Sequence, residues 1–333
     1  MTAADLSTGP ITATDYHTGG EPFRIVTGGV PELEGATVLE RRRWVAAQRD
    51  DVRRLLVYEP RGHADMYGGF VTPPDDAGAD LGVVFFHNEG YSTACGHGTI
   101  ALVTWAIDIG RVAGTEVVVD VPSGRLACHA TRGPDGRVTA VRFDNVPSFA
   151  LALDVPVATS RGTLTLDIGF GGAFYGTLEV TTLGLRVDRA SLPALIDLQR
   201  ELRPALEAAI DVVHPLEPEL HGIYGVIFWE AIGPGEQRNV TVFADGEVDR
   251  SPCGSGTSAR LAVLHARGEI GVGDPFTHRS IVDSRFAAGI SGTAEVAGRP
   301  AVQTWVEGRA FRTGEHTFEL DPEDPLGSGF LLR

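Results

Sequence analysis

Cys253-Gly254-Ser255-Gly256-Thr257 repeats, with one change, an earlier stretch of the same chain, Cys95-Gly96-His97-Gly98-Thr99. Each copy runs into a mostly apolar segment of equal length: 11 positions separate Thr99 from Gly110, and 11 separate Thr257 from Gly268. A glycine is the usual way to stop a helix, so each copy predicts a cysteine at the start of a helix, on a glycine-rich turn. The first helix is apolar nearly all round (Ile100, Leu102, Val103, Trp105, Ile107, Ile109), which predicts burial on every side. The second carries Arg260, His265 and Arg267, which predicts that part of it reaches the surface or a domain interface.

Other landmarks repeat in the same order. Asp15-Tyr16-His17-Thr18-Gly19-Gly20 has a counterpart in Asp167-Ile168-Gly169-Phe170-Gly171-Gly172 followed by Tyr175, and Met66-Tyr67-Gly68-Gly69-Phe70 has one in Ile223-Tyr224-Gly225-Val226-Ile227-Phe228. The pairs Asp15/Asp167, Tyr67/Tyr224 and Cys95/Cys253 are offset by 152, 157 and 158 positions. A slowly drifting offset predicts a duplicated fold of two α/β halves of about 150 residues each, joined near 150–161. Within them, helices are expected at 38–48, 50–56 and 192–213, the last broken by Pro204. Strand-like stretches fall at 55–58, 82–86, 138–143 and 239–243, with a hairpin from 116–121 to 124–130.

A length of 333 residues suits two domains with real cores, and 43% hydrophobic with 22% charged residues is ordinary globular composition. The formal net charge of −16 speaks against nucleic acid or an anionic membrane surface as partner. No segment approaches the roughly 18–20 apolar residues of a membrane span. Met1 through Asp5 shows neither a basic nor an apolar signal region. Three cysteines (Cys95, Cys128, Cys253) without short spacing fit a reducing cytoplasm better than a disulfide framework.

A helix start presents unpaired backbone N–H groups and the positive end of the dipole, and glycines let a ligand approach that backbone closely. A carboxylate is a natural guest there, and the same field favours thiolate over thiol. Two such turns could hold one carboxylate with a cysteine on each side. One thiolate would take the α-proton from one face and the other thiol would return a proton to the opposite face, inverting Cα without a cofactor. Other readings remain open at this level. A buried cysteine on a glycine turn is often purely structural, although two matched copies weaken that reading. Both copies fit the loose G-x-G-x-x-A dinucleotide pattern, but loop residues precede each, and neither Glu116 nor Asp274 ends a strand. Cys95, His97 and Cys253 could hold zinc only with a further ligand. The two thiols could form a redox pair. Cys128, on Arg125-Leu126-Ala127-Cys128, has no glycine turn and is read as a bystander.

The chain resembles the proline racemase family, which is related in fold to diaminopimelate epimerase. The resemblance rests on His17-Thr18-Gly19-Gly20-Glu21-Pro22, Arg61-Gly62-His63 with Met66-Tyr67-Gly68, Cys95-Gly96-His97 and the highly specific Asp249-Arg250-Ser251-Pro252-Cys253-Gly254-Ser255-Gly256-Thr257. It implies an α/β fold of two pseudo-symmetric lobes, each a curved, mainly antiparallel sheet or barrel around a central helix, with substrate in the cleft between them. The lobes would be 1–152 and 153–302, with 303–333 crossing back to the first. By resemblance, Cys95 and Cys253 are the paired acid and base. His97 and Asp249 contact the substrate's ring nitrogen, and backbone groups of Gly96, His97, Gly254 and Ser255 hold the carboxylate. Tyr67 and Phe243 pack on the pyrrolidine ring. No cofactor and no metal are implied, and the partner is a small molecule, proline or a hydroxyproline, bound by a monomer or homodimer.

Family members racemise proline, epimerise 4-hydroxyproline at C2, or dehydrate trans-3-hydroxyproline. In the dehydratases the second cysteine is typically Thr or Ser, so Cys253 favours two-base inversion. The substrate signals disagree. Ala94 stands where methionine is usual, and Gly98-Thr99 resembles hydroxyproline epimerases. Tyr67 resembles proline racemases, and His87-Asn88-Glu89-Gly90-Tyr91 resembles the dehydratase branch. The expected activity is a racemase or epimerase of proline or a hydroxyproline. A trans-3-hydroxyproline dehydratase is the alternative within the family, and a non-catalytic binder of imino acids or small anions is the alternative outside it.

Overall fold

The computed structural model describes residues 9–332; Met1 through Asp5 and Arg333 lie outside them. The first run of elements is β1 (Ile11–Thr18), β2 (Glu21–Gly28), α1 (Val38–Gln48), α2 (Asp50–Val57), β3 (Tyr67–Thr72), β4 (Leu81–His87), β5 (Gly90–Tyr91), α3 (Gly96–Asp108), β6 (Glu116–Val121), β7 (Gly124–Arg132) and β8 (Val138–Asp144). The second is β9 (Phe149–Thr159), β10 (Gly162–Phe170), β11 (Phe174–Glu179), α4 (Leu192–Ala209), β12 (Ile223–Gly233), β13 (Glu236–Phe243), β14 (Glu247–Asp249), α5 (Gly254–Ala266), β15 (Pro275–Ser280), β16 (Arg285–Val296) and β17 (Arg299–Gly308). A last strand, β18 (Ala310–Phe318), follows.

Strand pairing repeats between the two runs. β18, β1 and β2 are antiparallel, β2 and β3 parallel, β3 and β4 antiparallel, β4 and β6 parallel, and β6, β7 and β8 antiparallel. β9 through β17 reproduce the series: β9, β10 and β11 antiparallel, β11 and β12 parallel, β12 and β13 antiparallel, β13 and β15 parallel, β15, β16 and β17 antiparallel. Parallel neighbours need crossovers, and these carry the helices. α1 and α2 link β2 to β3, α4 links β11 to β12, and α3 and α5 make the second crossover of their halves. The halves share an edge where β17 pairs with β8. The fold is thus α/β and two-lobed, with a large mixed sheet. Beyond β18, Phe330 bridges to Glu59, and the Arg61 guanidinium donates to the carbonyls of Glu319 and Gly327.

α3 is the central helix of the first half. Residues 96–107 are all buried, as its apolar sequence requires, and it packs against β1, β2, β8, β17 and β18. α5 holds the same place against β9, β10, β11, β16 and β17. Arg260 departs from expectation. It is buried, its guanidinium lies 3.9 Å from the Trp229 ring centroid, and its Nε donates to Gln237 Oε1 at 3.1 Å. Stacking and an amide partner satisfy the cation inside the protein. The end of the helix reaches the surface, where Arg267 pairs with Asp167 and Asp154.

Two local expectations are corrected. Residues 55–57 finish α2, because Leu55, Leu56 and Val57 all bury into one apolar cluster on the helix face. α4 continues through Pro204 to Ala209, held by the buried stripe Leu195, Leu198, Leu202 and Leu206, whose packing outweighs the lost backbone bond. Residues 150–161 form most of β9 and its tight turn into β10.

Candidate active site

The two cysteine turns meet. A β-carbon placed on Gly96 would stand 2.5 Å from Gly254 Cα, one placed on Gly254 would stand 2.7 Å from Gly96 Cα, and the Phe143 ring lies under both. The N-terminal ends of α3 and α5 therefore abut through two residues without side chains. The later glycine of each motif makes room for its thiol: a β-carbon on Gly98 would lie 2.8 Å from Cys95 Sγ, and one on Gly256 would lie 2.8 Å from Cys253 Sγ.

Cys95 is the N-cap of α3 in extended backbone, and its Sγ accepts from the Gly98 amide at 3.2 Å. The His97 ring lies against it, Nδ1 3.4 Å from Sγ. Thr18, from the His17-Thr18-Gly19-Gly20 turn, ties this start down by donating to the His97 carbonyl at 2.9 Å. Cys253 caps α5 differently. Its φ is +61°, a left-handed conformation that costs a non-glycine residue about 1–2 kcal/mol. The strain is held by the Cys253 amide donating to Ser251 Oγ at 3.1 Å and by Thr257, which donates its amide to the Cys253 carbonyl at 2.7 Å. Such strain is characteristic of functional sites.

All of the residues expected at the site (Tyr67, Cys95, Gly96, His97, Phe243, Asp249, Cys253, Gly254 and Ser255) line one narrow cleft, together with Ala94, Tyr175 and Tyr224. Tyr67, Phe243 and Tyr224 form an aromatic wall: Tyr224 stacks on Phe243 with ring centroids 5.3 Å apart, Tyr67 lies 6.0 Å from Phe243, and the two tyrosine hydroxyls are 3.0 Å apart. His87 backs this wall and pairs with Glu247 at 3.1 Å. A larger open cavity, flanked by Arg42, Arg203 and Glu219, adjoins the cleft across Tyr224.

Electrostatics correct one expectation. Burial pushes both thiols up, and the Asp249 carboxylate pushes in the same direction, while the Gly98 amide only partly offsets this at Cys95. Desolvation outweighs the helix-start field, and both cysteines are held as thiols. Burial lowers His97 to about 3, assisted by the Arg250 cation, so its imidazole is neutral. Burial raises Asp249 to about 6 against hydrogen bonds from Ser251. Beside it, Glu21 is fully buried, raised by desolvation, and accepts from the Arg250 amide at 2.7 Å.

Tyr175 and Tyr224 were missed as site residues. Both stand at repeat landmarks, and Tyr224 is the counterpart of Tyr67, so internal symmetry could have nominated them. Cys128 is buried in β7, away from the cleft. All three cysteines are free. Among the described residues no group of three or more His, Cys, Asp or Glu is placed to hold a metal ion, and no helix is long and apolar enough to cross a membrane.

The proline racemase family model matches residues 13–331. The chain belongs to the proline racemase family. It is 46% identical over 329 residues to a trans-3-hydroxy-L-proline dehydratase of Bacillus cereus, covering 96% of this chain and 98% of that one. It is 45% identical over 331 residues to a 3-hydroxyproline 2-epimerase of Burkholderia multivorans, covering 97% and 98%. Its structure is similar to that of a hydroxyproline epimerase from Agrobacterium vitis with bound trans-4-hydroxy-L-proline, at a TM-score of 0.92 and 35% identity, covering 98% of this chain and 96% of that one. Membership of the proline racemase family thus supports a racemase, epimerase or dehydratase.

Proposed function

We propose that this proline racemase family member inverts Cα of proline or a hydroxyproline by proton transfer between Cys95 and Cys253, without a cofactor. One observation carries the reading: two free, buried cysteines, each at the start of a helix, share a single small cleft where those helices touch. The substrate carboxylate sits against the amides of Gly96, His97, Gly254 and Ser255, where helix dipoles and unpaired N–H groups favour an anion. Tyr67 and Phe243 wall the ring. His97, being neutral, and Asp249 receive the ring nitrogen. The ammonium of the bound imino acid offsets the Asp249 charge that helps hold both thiols protonated, which makes a thiolate accessible once substrate is in place. That thiolate takes the α-proton, the helix starts stabilise the charge that moves onto the carboxylate, and the opposite thiol reprotonates Cα.

Trans-3-hydroxyproline dehydration is the second reading, supported by the name of the Bacillus cereus relative. The two share their first step. A carbanion at Cα beside a hydroxylated carbon either is reprotonated or expels the hydroxyl group, and a second thiol in place favours reprotonation.

Incubation in D2O with L-proline, trans-4-hydroxy-L-proline and trans-3-hydroxy-L-proline separates them. Deuterium at Cα with inversion is expected; loss of water to a cyclic imine from the 3-hydroxy compound would instead support dehydration. No exchange with any of the three by a folded protein with titratable thiols would overturn both, leaving a binding protein. Cys253→Ser should abolish inversion, by about 10³-fold or more on the scale of general acid–base catalysis, without changing the melting temperature. Full activity in that variant would rule out two-thiol chemistry. We also propose cytoplasmic residence, which suits three free thiols.

A further inference from the structure

The two thiols have different companions. Cys95 has the Gly98 amide and the His97 ring. Cys253 has a phenol: its S–H donates to Tyr175 Oη at 3.9 Å, and the same Oη is 2.7 Å from Ser255 Oγ. Tyr175 is fully buried on β11, and burial pushes its phenol well above the usual tyrosine range, with the Cys253 thiol acting in the same direction. It therefore keeps its own proton and serves as a hydroxyl that can point either way.

We propose that Tyr175 is a positioning residue for Cys253: its hydroxyl, set between Cys253 Sγ and Ser255 Oγ, donates to Ser255 while Cys253 is a thiol and turns to donate to the sulfur when Cys253 is a thiolate. The inference rests on the two-thiol reading for its catalytic meaning. No proton leaves the phenol. When Cys253 gives its proton to Cα, the Tyr175 O–H rotates from Ser255 to the sulfur, and Ser255 donates its own hydroxyl to Tyr175 Oη. A donor aimed at a buried anion stabilises it far more than a neutral pair is stabilised. The Asp249 carboxylate, the Thr241 hydroxyl and the Gly256 amide also act on Cys253, and all three remain when the phenol is removed. Cys95 has no phenol in this role, so the effect belongs to one half-site.

The test compares the two thiols within one molecule. Iodoacetamide labelling at pH 8, read by peptide mass spectrometry, gives the ratio of Cys253 to Cys95 modification. Tyr175→Phe keeps the ring against Ala173, Ile227 and Ala259 and removes only the hydroxyl. Loss of one charge-assisted bond raises the thiol by about one unit or more. Thiolate falls about tenfold, and the greater nucleophilicity of a more basic sulfur returns part, leaving a three- to fourfold drop in the ratio, roughly. Tyr224→Phe, which removes a neighbouring phenol from the cleft, should leave the ratio unchanged. 3-Fluorotyrosine at position 175, a stronger donor, should raise it. An unchanged ratio in Tyr175→Phe, or an equal fall in Tyr224→Phe, overturns the proposal. Labelling needs no turnover, so it decides the role of Tyr175 even if the D2O experiment finds no exchange and the racemase reading fails. With exchange present, Tyr175→Phe should slow α-proton exchange in a Cys95→Ser background, where Cys253 acts alone, and not in a Cys253→Ser background; equal slowing in both would also overturn it.

Discussion

At the scale of single residues, the cleft holds ionisable groups that pull stability in opposite directions with pH. Asp249 is raised to about 6, so between about 4 and 6 the folded state binds more protons than the unfolded state and stability is lost as pH rises. Glu21, raised as well, acts with the same sign. His97, and outside the cleft the buried His278 of β15, both lowered to about 3 by burial, act oppositely, contributing stability that is lost as pH falls below about 6.5. A melting curve of the unaltered protein mixes these effects, and the difference between variants separates them. Asp249→Asn should gain stability over the parent as pH rises from 4 to 7, by up to about 3 kcal/mol, because it removes a carboxylate that ionises at a cost in the fold. A difference independent of pH would show that Asp249 titrates normally. The two cysteines were legible in the sequence because their motif repeats, whereas His97 and Asp249 stand where the copies differ and were reached only through the family resemblance. The thiol state was not, since a helix-start field and desolvation oppose each other and only burial shows which wins. Nor was the left-handed backbone at Cys253, which the shared letters Cys-Gly hide. Tyr175 and Tyr224 stand in the sequence only as landmarks of the repeat, with no role attached to either.

At the scale of elements, the site is the contact between two helix starts. Nothing larger than glycine fits at Gly96 or Gly254, because the colliding atoms are backbone and cannot rotate aside. Gly96→Ala should therefore separate α3 from α5, with about 1–3 kcal/mol lost in thermal or urea unfolding and a larger proportional loss of turnover, since misplacing a reacting group by an ångström costs about 10²-fold. Retention of full activity would mean that the helix starts move independently of catalysis. Sequence periodicity found both central helices and most of the strands flanking them. It failed at Pro204, where a buried leucine stripe carries α4 past a residue that breaks isolated helices, and at 55–57, where a short apolar run reads as a strand but serves a helix face. Arg260 failed for a related reason: composition cannot show that Trp229 and Gln237 wait inside to receive it.

At the scale of the whole molecule, cross-lobe ties surround the cleft. Glu21 meets Arg250, His87 meets Glu247, Arg43 meets Glu219, and the hydroxyls of Tyr67 and Tyr224 meet over the cavity. The first strand set is closed by a strand from the far end of the chain, β18 on β1 from Ile11↔Phe318 to Thr18↔Ala310. Ending the chain after Gly308 should leave β1 with an open edge, and aggregation or protease sensitivity confined to the first half is expected, measured by limited proteolysis with mass mapping. A truncated protein that stays soluble and resists cleavage would show that β18 is dispensable. Protein synthesis runs in one direction, and here that direction matters. A ribosome emits β1 well before β18, roughly 15–60 s apart at about 5–20 residues per second. During that interval the nascent chain carries an unfinished sheet beside a complete Cys95 turn, exposed to chaperones and oxidants alike. A chain stopped by a premature codon between residues 254 and 309 bears both cysteines and lacks the strand that closes the first of their two housings.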